Sequence, residues 1–292
     1  MGDVLAGIHA TWEFESDAVV IRFERGNLTN RMPKLFQALR ERRVPHEALE
    51  SVTLAPGKRG TVVLRAVPRA GADPLMEAAA GQLKDECDPY RLVLPADRET
   101  LAEYYRDELR SVLSPYDAGR PADRFLVAAP EGPQSFKAYD GKASFDGRSE
   151  VTFRWSWSGA SSEKWKAGDQ TFRVGELSGV EWRSPEVLDG YLRLVPREGP
   201  DERAVQPDHD PASVVFGLGY GPVHESLPFA AAVLAAIRSA SPRVPALPGA
   251  GARPRDPAGV AERIRHLGEL HRAGLVTDEE FSVKKAELLA EL

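Results

Sequence analysis

Apolar and polar positions alternate most clearly between residues 151 and 158. Val151, Phe153, Trp155 and Trp157 stand between Thr152, Arg154, Ser156 and Ser158. A period of two over that length predicts a half-buried antiparallel strand, with the aromatic stripe turned inward. Val19, Ile21 and Phe23 follow the same rule. The period becomes helical at Leu101, Tyr105, Leu109 and Val112, and again at Leu227, Ala230, Leu234 and Ile237. Strands fill most of each stretch and one amphipathic helix closes it, so the fold class is mainly β (α+β).

The pattern is written twice. "VPHEALESVTLAPGKRGTVVLRAVPRAG" (44–71) parallels "FRVGELSGVEWRSPEVLDGYLRLVPREG" (172–199), each a Leu-x-x-Val step, a turn and a strand ending in Val-Pro-Arg. Downstream, "DPYRLVLPADRETLAEYYRDEL" (88–109) parallels "DPASVVFGLGYGPVHESLPFAAAVLAAI" (210–237). Upstream, "WEFESDAVVIRF" (12–23) parallels "ASFDGRSEVTFRW" (143–155), two strands about a tight turn. Three matched segments in one order imply two copies of one domain, at residues 1–115 and 134–240. Residues 116–133 join them, with "SPYDAGRPADR" (114–124) as a hinge candidate. Residues 241–259 are rich in Pro, Gly and Ala without periodicity, the composition of a disordered tether.

The chain closes on a helical hairpin at residues 260–292. Ile264, Leu267 and Leu270 recur at helical spacing before Gly274, a left-handed stop. Thr277 is an N-cap with Glu280 completing a capping box, and Val276 and Phe281 have the spacing of a hydrophobic staple. Phe281, Leu288, Leu289 and Leu292 continue the apolar stripe. A helical pair this small is marginal alone in water, so its apolar face calls for a partner surface. The run "IRHLGELHRAGLVTDEEFSVKKAELLAEL" resembles the short C-terminal domain of bacteria known as SHOCT. That resemblance implies oligomerisation or protein contact, not chemistry, with Ile264, Leu267, Leu270, Phe281, Leu288 and Leu289 as the contacting residues.

The element order, and the "VPHEALESV" step into a further strand, resemble bacterial pleckstrin-homology (PH)-like domains. The resemblance implies a bent antiparallel sheet whose open end is closed by the C-terminal helix. Two such domains followed by SHOCT resemble an uncharacterised family of tandem PH-like proteins common in actinobacteria, which carries no known catalytic residues.

Composition narrows the partners. The 292 residues carry a net charge of −6, which gives no electrostatic case for nucleic acid. A single cysteine, Cys87, leaves no internal disulfide and suits a reducing cytosol. No run of 18 apolar residues occurs, and the N-terminus lacks the basic region of a secretory signal. A cytoplasmic location follows as the expectation.

The candidates for chemistry are weak. "VVFGLGYGPVHESL" mimics a dinucleotide-binding turn, but Pro222 stands where the third glycine belongs and no acid follows near Ser239. In "PDHDP" (207–211), Asp208, His209 and Asp210 lack a Cys or second His, so a solvated loop is the simpler reading. His266 and His271 miss the i, i+4 spacing of a shared helix face. Cys87 sits among acids, which raise a thiol pKa. No metal, cofactor or catalytic residue is expected. A basic run supplies Arg25, Arg31, Lys34, Arg40, Arg42 and Arg43, a patch for an acidic partner or anionic lipid. In PH domains that hold phosphoinositides the basic residues lie in the first hairpin loop, which here reads "ESD" and "DGRSE". Trp165, in the polar "SSEKWKAG", is a candidate exposed aromatic contact. The expectation is a non-enzymatic assembly or adaptor protein that self-associates or binds a protein partner. The alternative is a peripheral lipid binder using residues 25–43.

Overall fold

The computed structural model describes residues 3–24, 32–113, 119–187, 189–197 and 205–240. The hairpin and its tether, with Ile264, Leu267, Leu270, Phe281, Leu288 and Leu289, lie outside them, as do Arg25 and Arg31.

The first repeat opens with strands β1 (Asp3–Ala6), β2 (Ala10–Phe14) and β3 (Ala18–Phe23), then a short helix α1 (Lys34–Leu39) and strand β4 (Glu41–Pro45). These strands form an antiparallel sheet in the order β1-β2-β3-β4. A one-turn 3-10 helix at His46–Ala48 turns the chain into β5 (Leu49–Pro56) and β6 (Thr61–Pro68). Helix α2 (Pro74–Ala79) intervenes before β7 (Arg91–Pro95), and α3 (Glu99–Val112) closes the repeat. The second sheet is β5-β6-β7.

The second repeat follows the same plan. Strands β8 (Gln134–Lys137), β9 (Gly141–Phe145), β10 (Glu150–Trp155) and β11 (Gln170–Arg173) form one sheet, with helix α4 (Ser162–Ala167) before β11. Strands β12 (Leu177–Arg183), β13 (Tyr191–Pro196) and β14 (Ser213–Val215) form the other, and α5 (Val223–Ala240) ends it. The likeness reaches single residues. Leu49 pairs with Pro68 and Leu177 with Pro196, and each pairing is followed by a register shift, at Ser51 and at Gly179. A bulge at the same place in both copies fixes the same local twist.

Two expectations from periodicity change. Strand β10 stops at Trp155, and just beyond it the chain turns, with the amides of Gly159 and Ala160 donating to the Ser156 carbonyl at 3.3 and 3.0 Å. Trp157 therefore leaves the sheet and is 85% exposed, while Phe153 is buried. On α3 the inward face is Ala102, Tyr105 and Leu109; Leu101 and Val112, expected on that face, are exposed. Tyr105 stacks on Phe14 with ring centroids 4.2 Å apart, which seats the helix on its own sheet.

Helix α5 is buried nearly all round. Leu227, Ala230 and Ile237 are buried as expected and Leu234 only partly, while Phe229, Ala231, Ala232 and Val233 are buried as well. A helix apolar on every side needs cover on every side. Its own sheets supply one face, where the Phe229 ring meets Phe136 edge-on at 5.0 Å. The first repeat supplies the other: Leu35 of α1 and Leu75, Ala78 and Ala79 of α2 belong to the same core as Phe229 and Val233. Helix α2 is well specified locally, with Asp73 capping the amide of Leu75 at 2.9 Å, Pro74 in the first turn and a left-handed stop at Ala80.

Polar contacts tie the same seam. The Gln82 side chain donates to the Trp182 carbonyl at 2.9 Å and accepts from the Ser184 amide at 3.0 Å. Arg238 pairs with Glu77 at 2.7 Å and lies over the Phe125 ring at 3.9 Å. The connector is held as well. Ala122 donates to the Ala70 carbonyl at 2.8 Å, and Val127 is buried in the first core. The described part of the expected hinge, residues 119–124, is therefore bonded to the first repeat. Residues 1–241 make one compact unit.

Candidate docking groove

A groove of about 610 Å³ opens where α1, the β12–β13 turn and the loop leading into α5 meet. Its floor is the buried pair Leu35 and Phe216. Its rim is unusually apolar for a surface: Leu218 is fully exposed, and Val187 and Tyr220 are nearly half exposed. Tyr139, also exposed, stands beside Tyr220 with ring centroids 6.2 Å apart, edge to face.

The loop that lifts Leu218 is the glycine-rich run Gly217 to Gly221. Each glycine has a reason, in packing or in backbone conformation. A Cβ at Gly217 would lie 2.9 Å from Tyr139, and one at Gly221 would collide with the Phe216 ring. Gly219 and Gly221 have φ of +83° and +57°, which favour glycine. The run is a close-packed turn. Its two ends are held: Gly221 donates to Lys137 at 2.8 Å, Tyr220 to Gly217 at 3.0 Å and Phe216 to Gly190 at 2.8 Å.

Charge on the rim is mixed. Lys34 stands near His224, whose pKa is lowered, mainly by burial, keeping the imidazole neutral at pH 7. Glu186 and Asp189 flank Val187, and Glu186 also meets Lys84 at 3.2 Å. Cys87 lines the groove, but burial, with Glu186 and Glu86 nearby, raises its pKa and keeps the thiol protonated.

The basic run does not form one face. Strand β4 alternates, so neighbours point to opposite sides of the sheet. Arg42 turns inward, buried, and donates to Asp73 at 2.7 Å; the same carboxylate accepts from the Tyr90 hydroxyl at 2.8 Å. Arg43 turns outward and is held between Glu15 at 2.9 Å and Asp17 at 2.7 Å. Arg40 is exposed at the end of α1, and Lys34 belongs to the groove. Trp165 is more than half exposed, as expected, but on helix α4 rather than in a loop.

The acid–histidine run is structural. Asp210 is buried, accepts from Arg193 at 2.8 Å and caps the Ala212 amide at 2.8 Å. His209 is exposed and meets Glu163 at 2.9 Å. No group of side chains among the described residues is arranged to hold a metal ion. Asp88 makes the matching clasp in the first repeat, to Arg65 at 2.9 Å and the Tyr90 amide at 2.9 Å. Sequence reasoning also missed Lys164, fully buried against Asp140 at 2.5 Å and over the Trp155 ring at 5.0 Å. Nothing local marks it, since its partner lies in another strand turn. The exposed rim residues were equally hidden, because "GLGYG" carries no sign of which side chain faces water.

The family model described as "Domain of unknown function (DUF4429)" matches twice, over residues 12–110 and 143–234. The chain belongs to that family, and the two matched stretches are the two repeats. No curated protein matches the chain.

Proposed function

We propose that the chain is a non-enzymatic assembly or adaptor protein, acting through protein contacts and self-association. The observation that carries this reading is the rim of the groove. Leu218 stands fully in solvent on a loop held at both ends, in the same rim as Tyr220 and Val187. Exposed apolar clusters of this kind mark contact surfaces, and a loop so held presents its side chain with little ordering cost. The buried acids and bases are engaged with one another, as in Arg42–Asp73, Lys164–Asp140 and Arg193–Asp210, which suits structure better than turnover.

In this reading each repeat is a PH-like domain, supported by the four-plus-three antiparallel strands and the closing helix. The 260–292 hairpin is a SHOCT element for oligomerisation or docking, supported by its capping signals and apolar stripe. The cytoplasm is the location this reading expects, on the single cysteine of the chain; separately, among the described residues no helix is long and apolar enough to cross a membrane. The lipid alternative is weakened by the inward turn of Arg42 and the pairing of Arg43.

Light scattering over a range of concentrations tests the proposal. The expected mass exceeds the 32.0 kDa of one chain and falls when residues 260–292 are removed. A mass of one chain at every concentration would end the self-association reading. Salt-sensitive binding to acidic liposomes, lost on Arg40→Ser and Arg43→Ser, would replace it with the lipid one.

A further inference from the structure

We infer that the outer face of the sheet β8–β11 binds an acidic, extended segment of a partner protein along the row Lys137, Lys142 and Arg154. None of the three lines the groove, so the inference stands apart from the contact surface proposed above.

The row follows from register. Lys137 pairs with Lys142 across β8 and β9, and Lys142 with Arg154 across β9 and β10. Their neighbours Phe136, Ala143 and Phe153 are buried, so alternation turns all three cations to the open face, where each is exposed. Like charges directly opposite one another on a sheet destabilise it. Among the described residues none of the three has an ion-pair partner. Asp169, just beyond the pairing of Phe153 with Gln170, is the acid nearest in register, but it accepts from the Trp155 amide at 3.2 Å.

The first repeat shows what folding alone requires of this face. Its equivalent row is Ala6, Thr11 and Arg22. Arg22 is neutralised there by Glu41 at 2.8 Å and by Glu13. In the second repeat Lys137 stands in the place of Ala6, Lys142 in that of Thr11 and Ser144 in that of Glu13. Each difference shifts the face by one positive charge. The sheet forms in the first repeat without that charge, so the row in the second answers to something outside the fold.

Its shape selects the ligand. Neighbouring strands lie about 4.8 Å apart, so the row spans about 10 Å. Side chains two residues apart in an extended segment point to one side, about 7 Å from each other. Two alternate Asp or Glu residues therefore fit along the row, in charge-assisted hydrogen bonds. Ser144 and Thr152, opposite each other one step along the same face, offer hydroxyls beside them. The far end of the face is balanced, with Glu150 opposite Arg173 and Arg148 close to Asp146 in the turn. The excess charge is thus a single line. A line suits one narrow acidic segment, whereas an anionic bilayer would also press on Glu150, Asp146 and Asp169, which are all exposed.

The test titrates a fluorescein-labelled Ser-Glu-Ser-Glu-Ser-Glu-Ser peptide with the full chain at low salt. Saturable anisotropy is expected, fading as salt rises. Lys137→Glu with Lys142→Glu should weaken binding about ten-fold or more, with circular dichroism verifying the fold. Arg40→Glu, in the other basic run, should leave it unchanged, and the peptide with Gln for Glu should not bind. Lys142→Thr, which takes the first repeat's residue, should weaken binding while raising the melting temperature by about 1–2 °C. No saturable binding, or binding indifferent to the double charge reversal, overturns the inference. Vesicles of phosphatidylcholine and phosphatidylserine that bind the chain through the same lysines, where the peptide does not, would replace the segment with a membrane. A light-scattering mass that falls with the double reversal, again without peptide binding, would replace it with a second copy. In every case the groove is tested separately, because its residues are untouched.

Discussion

Helices α3 and α5 close their repeats at equivalent positions, yet they live in different surroundings. Helix α3 buries one narrow face, Ala102, Tyr105 and Leu109, and leaves Leu101, Tyr104 and Val112 in solvent. Helix α5 is enclosed, because α1 and α2 of the first repeat cover the side that its own sheets do not. Duplication gave two similar units, but only one helix became the shared element. The Arg–Asp clasp differs in the same sense. The Arg65 side chain is 48% exposed, whereas Arg193 is 7% exposed and donates to Asp210, Ser213 and the Val205 carbonyl. The second repeat holds the deeper interior, and the same motif carries more weight there.

The clasp should give the largest contrast. Arg193→Met leaves the buried Asp210 carboxylate without its cation and should cost about 3–5 kcal/mol in urea unfolding. Arg65→Met takes a half-exposed cation from the buried Asp88, which keeps the Tyr90 amide, and should cost less, about 1–3 kcal/mol. Equal losses would show that burial does not separate the two clasps.

Leu75→Ala probes the shared helix. Leu75 belongs to the first repeat in sequence and to the second core in space. The substitution should cost about 2–5 kcal/mol. It should shift one unfolding transition seen alike by tryptophan fluorescence and circular dichroism. Two transitions, with only one displaced, would mean that the repeats fold separately. Tyr104→Ala on the open face of α3 should change stability by no more than about 0.5 kcal/mol.

The smallest effect concerns a hairpin turn. Asp146, between β9 and β10, accepts from the amides of Glu150, Arg148 and Ser149, which holds its pKa at about 2. The folded value lies below the ordinary 3.8, so the stabilisation is complete above pH ~4 and disappears as pH falls toward 2. In the first repeat the matching turn has Asp17 paired with Arg43 instead. Asp146→Asn should flatten the acid limb of the melting temperature slightly. An unchanged acid limb would mean that the amide nest adds nothing to stability.

Much of the fold was legible along the chain. The period-two runs and above all the duplication are written in short stretches of neighbouring residues, because they arise from backbone geometry and local burial. The near-continuous apolar run "LPFAAAVLAAI" in α5 already differed from the mixed "LAEYYRDEL" of α3, a sign of burial on every side. What local sequence cannot contain is the identity of a distant neighbour. Arg42 and Arg43 are adjacent and chemically alike, yet one is buried on Asp73 and the other meets solvent, since the sheet decides which side is interior. Lys164 needed Asp140, α5 needed Leu75, and the exposure of Leu218 needed the loop to be pinned on Tyr139 and Lys137. The sequence by itself determined two similar units and their elements. The tertiary structure alone decided that they share a helix and where their surface stays open, because burial is set by residues brought together from far apart in the chain.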